Sequence, residues 1–120
     1  MPSSFTPGPW RVGREIGESQ LMPRIEILRD VSFVEGAEPA TYYMAEVCYP
    51  TTTGNTVGAQ ERRANARLIA SAPELLEALQ AEEEWTAREE AGAIDPDWDY
   101  EQMVGSKRRA AIAKATGSSL

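Results

Sequence analysis

Glu61-Arg62-Arg63-Ala64-Asn65-Ala66-Arg67-Leu68-Ile69-Ala70-Ser71-Ala72-Pro73-Glu74-Leu75-Leu76-Glu77-Ala78-Leu79 is the stretch on which the reading of this chain turns. Its spacing predicts one helix, a joint and the start of a second helix. At about 100° per residue, Glu61, Asn65, Leu68, Ile69 and Ala72 gather on one side, with Arg63, Arg67 and Ala70 on the other. That predicts Leu68 and Ile69 toward a core, and Arg63 and Arg67, one turn apart, toward solvent or a partner. Alanines at 64, 66, 70 and 72 favour helix and allow close approach to a sheet. Asn65 falls within the apolar side. Either its amide ties down a neighbouring backbone, or it faces a pocket and reads a ligand, since an unpaired buried amide is costly.

The joint follows from Ser71-Ala72-Pro73-Glu74, which has the form of a capping box. Ser71 would accept from the amide of Glu74, and Glu74 would reach back to the amide of Ser71. Pro73 suits a first helical turn, whereas in a continuous helix its ring would clash with the carbonyl of Ile69. The first helix is therefore expected to stop near Ala70 and the second to start at Ala72 with a change of direction. Leu75, Leu76 and Leu79 would supply the second helix with its buried stripe.

Working outward, 120 residues make one domain, 1–120, large enough for a modest core. The net charge of −7 argues against general nucleic-acid binding, which needs a basic surface, while leaving room for a local basic site. The single cysteine, Cys48, excludes an intrachain disulfide and favours an intracellular setting. It lies in an apolar strand pattern that reads as a buried structural thiol. Histidine is absent, which removes Ser-His-Asp triads, Cys-His dyads and nearly every transition-metal site. No stretch approaches the length of a membrane span, and Met1-Pro2-Ser3-Ser4-Phe5 does not read as a secretory signal. A non-enzymatic chain with no cofactor, no metal and no membrane partner is the expectation.

Residues 1–9 hold Pro2, Pro7, Gly8 and Pro9 and read as an extended lead-in. Trp10-Arg11-Val12 starts a strand, with Trp10 either closing one end of the core or serving as a stacking platform. Arg24-Ile25-Glu26-Ile27-Leu28-Arg29 alternates as a second strand, and Val31 to Val34 extends it or forms a short one. In the strand Ala40 to Tyr49, Tyr43, Ala45, Val47 and Tyr49 should point one way and Tyr42, Met44, Glu46 and Cys48 the other. Short connections favour an antiparallel meander. Residues 50–58, rich in Gly and Thr, read as a flexible connection or as a weak anion-binding loop before a helix. Beyond the joint, Glu82-Glu83-Glu84 forms a solvated acidic face and Gly92 ends the second helix. Asp95 is a good N-cap for a third helix with Pro96 at its first position. Its late cations Lys107, Arg108, Arg109 and Lys114 suit the negative end of its dipole. Tyr100, Val104, Ala111 and Ile112 offer it an apolar strip against the second helix or another subunit. The expected class is α+β: a small antiparallel sheet with strands within 10–49, three helices at about 59–70, 72–91 and 96–116, and a frayed tail at 117–120.

Thr6-Pro7-Gly8-Pro9-Trp10, followed downstream by Ala64-Asn65-Ala66-Arg67-Leu68-Ile69-Ala70-Ser71-Ala72-Pro73-Glu74-Leu75-Leu76-Glu77-Ala78-Leu79, resembles a group of small bacteriophage and prophage proteins with a PGPW start and a NARLIAxAPELLEAL segment. The resemblance is close over 6–12 and 61–80. It implies phage origin and expression in the cytoplasm of a host bacterium, and it carries no catalytic residue. Accessory phage proteins of this size often counter host defence. By size, layout and origin the chain is similar to the oligomeric sponges that sequester cyclic nucleotide immune signals, an analogy at the level of fold.

Two functions follow as expectations. As a nucleotide-signal binder, a homo-oligomer, the chain would use Arg62, Arg63, Arg67, Arg108 and Arg109 for phosphate and Asn65 for base or ribose. Tyr42, Tyr43 or Trp10 would stack on the base. Against this stands ordinary pairing of the arginines with Glu61, Glu74 and the acidic run. As an acidic inhibitor, it would present Glu82, Glu83, Glu84, Glu89, Glu90, Asp95, Asp97 and Asp99 to a host defence protein that binds nucleic acid, CRISPR proteins included.

Overall fold

The computed structural model describes residues 5–16, 23–48 and 56–118. Three strands come first, β1 (Arg11–Ile16), β2 (Arg24–Val31) and β3 (Ala40–Val47), in an antiparallel meander with β2 central. Helices α1 (Thr56–Ala70) and α2 (Ala72–Glu90) follow. A π-helical turn, Glu101–Gly105, then runs directly into α3 (Ser106–Thr116). The class is α+β, as the alternation and punctuation predict. The expectations for Tyr49 and for residues 50–55 of the connection lie outside the described residues, whereas residues 56–58, expected to belong to that connection, already form the first turn of α1.

Alternation on β2 turns Ile25 and Ile27 toward α1, where they join Val47, Ala66 and Ala70 in the core. Trp10 and Met44 close its edges, which is the packing role foreseen for Trp10. The opposite face of the sheet is laced by ion pairs: Arg11 to Asp30 at 2.7 Å, Arg14 to Glu26 at 2.8 Å and Arg24 to Glu46 at 3.1 Å.

The buried face of α1 differs from the wheel reading. Ala59, Arg62, Ala66 and Ala70 face inward, while Leu68 is 53% exposed and Asn65 and Ile69 are exposed too. Ile25 and Ile27 already fill the space above the sheet, and α3 packs on α1 as well. Between two such neighbours the helix backbone comes close, which the alanines at 59, 66 and 70 permit. Weighting the wheel by bulk rather than by fit selected the wrong side.

A bulge in β3 breaks the alternation expected for that strand. Ala45 and Val47 lie opposite Ile27 and Ile25, but Tyr43 lies opposite Leu28 and Tyr42 opposite Arg29, so Met44 is the extra residue. Tyr42 thereby shares the helix-side face with Arg29.

The helical path is interrupted at Ser71 alone, with Pro73 in the first turn of α2. The capping box does not form. Buried Ser71 donates its hydroxyl to the carbonyl of Arg67 at 2.7 Å, and Glu74 instead accepts from Lys114 Nζ at 2.7 Å. The buried stripe expected of Leu75, Leu76 and Leu79 is also absent. Ala78 is the buried residue of α2, Leu75 and Leu76 are half-buried, and Leu79 is 68% exposed. At the far end Gly92 (φ 68°) ends the helix, the amide of Ala93 donating to Arg88 O at 2.8 Å and that of Gly92 to Glu89 O at 3.1 Å.

The third helical run starts later than expected. Asp95 accepts from the amide of Asp97 at 2.9 Å and closes a turn, and Asp99 accepts from the amide of Glu101 at 2.9 Å and caps the helix. The π turn, closed by Ser106 N–H to Glu101 O, adds one residue to the repeat and leaves Val104, Gly105 and Ala111 buried. A Cβ at Gly105 would meet the carboxylate end of the Glu101 side chain, which could swing aside to admit it. Helices α2 and α3 run antiparallel: Glu74 meets Lys114, Glu77 meets Lys107 at 3.5 Å, and Glu82 meets Arg108 at 3.5 Å. Gly117 (φ 72°) is a helix cap rather than frayed tail, with Ser118 N–H donating to Ala113 O at 3.0 Å; residues 119–120 are outside the description.

Candidate functional site

The fold disperses the residues that the sequence nominates. Arg62 is 4% exposed, on the inner arc of α1. Arg63 donates from Nε to both oxygens of Glu15 on β1 at 2.9 and 3.0 Å, holding that carboxyl below its ordinary range. Arg67 is half-buried and lies across Gly117, a hypothetical Cβ of which would sit 2.8 Å from its Nε. Asn65 borders a cavity of about 540 Å³ with Glu46, Val47, Cys48, Leu68 and Ile69. Arg108 donates to the hydroxyl of Tyr100 at 3.1 Å, and Arg109 pairs with Glu101. Trp10 accepts from Lys114 Nζ through its carbonyl at 2.8 Å. The ordinary alternative, pairing with acids, thus describes Arg63, Arg108 and Arg109: Arg108 meets Glu82 of the acidic run as expected, while Arg63 meets Glu15 and Arg109 meets Glu101. Glu82, read as part of a solvated face, is engaged by the Tyr100 hydroxyl at 2.7 Å.

Tyr42 and Tyr43, both nominated as stacking residues, border a cleft with binding chemistry. Beyond the end of α1, the helix-side face of β2 and β3 is left open. There Thr6, Arg29, Val31, Phe33, Tyr42, Tyr43 and Met44 line a cavity of about 470 Å³. Arg29 is half-buried, and its Nε is buried without a hydrogen-bond partner among the described residues. The bulge sets Tyr42 directly across from it, and Phe33 stands edge-on to Tyr42 at 6.3 Å and 83°. Phe33, Tyr42 and Tyr43 are all exposed. A guanidinium donor beneath aromatic faces can hold an anion and stack a planar group at once. Arg29 was missed as a candidate, yet a signal existed: it shares strand parity with the core residues Ile25 and Ile27, an unusual place for a charge.

The lead-in and the joint meet elsewhere. Gly8 packs on Pro73 so closely that a Cβ would fall 2.7 Å from Pro73 Cβ. Lys114 Nζ is shared between Glu74 and the Trp10 carbonyl. The two segments singled out in the sequence, residues 6–10 and 64–79, are thus halves of one structural clamp, and α3 supplies its pin.

The sequence pattern of the family of Salmonella phage P22 protein Y8K6 matches residues 1–119. The chain belongs to that family. It is a phage protein, as the resemblance of the two segments implied. No curated protein and no solved structure gives a significant match. Among the described residues of this phage protein, no helix is long and apolar enough to cross a membrane, and no group of three or more acidic or cysteine side chains is placed to hold a metal ion.

Proposed function

We propose that this phage protein is a non-enzymatic anti-defence protein that captures a cyclic nucleotide immune signal in the Arg29 cleft, in the host cytoplasm, as a homo-oligomer. The observation that carries the reading is Arg29, whose side chain lines an aromatic cleft and whose Nε is buried without a hydrogen-bond partner among the described residues. A buried donor left unsatisfied costs free energy, which a ligand phosphate would recover. Tyr42 and Phe33 offer ring faces for a base, a contact that tolerates any base identity. In this reading Arg63, Arg108 and Arg109 support the fold, and Arg29 takes the role first given to them.

The test is a panel of cyclic dinucleotides, cyclic trinucleotides and cyclic ADP-ribose isomers, followed by thermal shift. Binding at about a hundred times Kd should stabilise the protein by about 2.7 kcal/mol. Arg29→Gln and Tyr42→Ala should abolish the shift, and Arg63→Ala should keep it. Recovery of intact ligand after denaturation supports capture, and altered ligand would indicate catalysis. If no nucleotide raises the melting temperature, the reading fails. The alternative, an acidic inhibitor of a host defence protein, would then rest on the exposed carboxylates Glu83, Glu84, Glu89, Glu90, Asp95, Asp97 and Asp99.

A further inference from the structure

Among the described residues, Arg29 is the single charged side chain lining its cleft. The other polar side chains there, Thr6, Tyr42 and Tyr43, carry neutral hydroxyls, and Val31, Phe33 and Met44 are apolar. Ion pairs among the described residues engage the neighbouring arginines of the sheet, Arg11, Arg14 and Arg24, and not Arg29. The segments outside the description, 1–4, 17–22, 49–55 and 119–120, contain no lysine or arginine, so no side chain there can bring a second cation.

One guanidinium sets the charge that the cleft can take. A phosphodiester carries one negative charge shared by two free oxygens, which the two parallel donors of an arginine fork can meet together. A terminal phosphate carries about −1.5 to −2 at neutral pH, and a pyrophosphate bridge likewise brings a second charge. That second charge would stand beside Val31, Phe33 and Met44 with no cation to meet it. An uncompensated charge against apolar groups is costly. The chain's net charge of −7 adds repulsion at longer range.

We infer that the Arg29 cleft selects a phosphodiester over a terminal phosphate or a pyrophosphate, engaging one phosphorus of its ligand. This rests on the nucleotide reading of the cleft and narrows it: phosphodiester rings are ligands, and cyclic ADP-ribose isomers, which carry a pyrophosphate, are not.

Two matched pairs test this on the full chain by isothermal titration calorimetry: cyclic AMP against AMP, and cyclic di-AMP against its ring-opened product pApA. Within each pair the bases and sugars are the same, and one diester becomes a terminal phosphate. At about pH 7.5 the cyclic member should bind at least about tenfold tighter. Acidification to about pH 5.5 takes a terminal phosphate toward a single charge, so AMP or pApA should gain about tenfold while its cyclic partner changes little. Thr6→Lys, at an exposed lining position, adds a second cation and should narrow the gap at the higher pH. Arg29→Gln should abolish binding of every member. The pair that binds decides. A terminal phosphate held as tightly as its diester, or with an affinity that ignores pH, overturns the inference and leaves the nucleotide reading standing. Binding of cyclic ADP-ribose but of neither ring diester also overturns the inference alone. Failure of every compound to bind overturns both.

Discussion

Where α1 meets β2, Ile25, Ile27, Ala66 and Ala70 are all at or below 1% exposure and the contact is made of carbon against carbon. Where α2 meets the third helical run, Trp85 packs edge-on to Tyr100 at 5.2 Å, and Glu74–Lys114, Glu77–Lys107 and Glu82 with Tyr100 and Arg108 add charged contacts around it. The two seams differ in what disturbs them. The first is strict about volume, because a close-packed contact loses attraction over fractions of an ångström. The second is tolerant of size but depends on charge state, and its part-exposed pairs are individually weak. A small domain with one well-packed seam and one conditional seam has a natural place to respond to a partner.

The largest effect should come from the first seam. Ile27→Ala should cost about 3 kcal/mol, read as a lower urea midpoint at unchanged slope. Ala66→Leu should cost about 1–3 kcal/mol by forcing α1 off the sheet. A small loss in either would mean that this seam is not close-packed. Lys114→Met tests the clamp between the two halves. It removes donors from Glu74 and from the Trp10 carbonyl, and should cost about 1 kcal/mol with faster amide exchange around the lead-in.

Acid should act at the rim of the first seam and on the outer face of the sheet. The hydrogen bond from Arg63 holds Glu15 below its ordinary 4.5, and those from Arg11 and then Thr41 hold Asp30 below 3.8. A depressed carboxyl contributes stability that is fully present above its unfolded value and lost as pH falls through its folded value. Urea midpoints should therefore hold at neutral pH and decline below about 4.5, with a shallower decline in Arg63→Met. The smallest effect is alkaline and belongs to the second seam. Donation to Glu82 holds the Tyr100 phenol above its ordinary 10.0. Its contribution is present below that value and lost as pH rises through the folded one. Ultraviolet titration should show one late-ionising tyrosine, which Glu82→Leu returns toward 10.0. A titration identical in both proteins would break the comparison by removing charge from the hairpin contact.

Much of the fold was legible because it rests on local rules. Ile25 and Ile27 announced β2 by alternation, Pro73 marked the joint, and Gly92 stopped α2 by admitting a positive φ. Partner choice was harder to read. Glu74 is as good a capping acid in sequence as in any helix start, but a lysine forty residues away offered a stronger charge-assisted bond. Asp95 and Asp99 are equivalent N-caps on paper, and the turn at Asp95 left the second to start the helix. Of the candidate site, Tyr42 and Tyr43 were legible and Arg29 was not singled out, since its position in the cleft depends on a bulge opposite it and on how far α1 reaches.

The order of elements, the antiparallel meander, the break before Pro73 and the family were written in neighbouring residues, because dihedral preference and hydrophobic period act over a few positions. Which side of α1 faces the sheet, which acid each arginine meets, and whether Leu68 and Leu79 lie inside or out belonged to the tertiary structure. Those outcomes depend on the space left between surfaces far apart in the chain, and a helical wheel records the direction of a side chain without the room available to it.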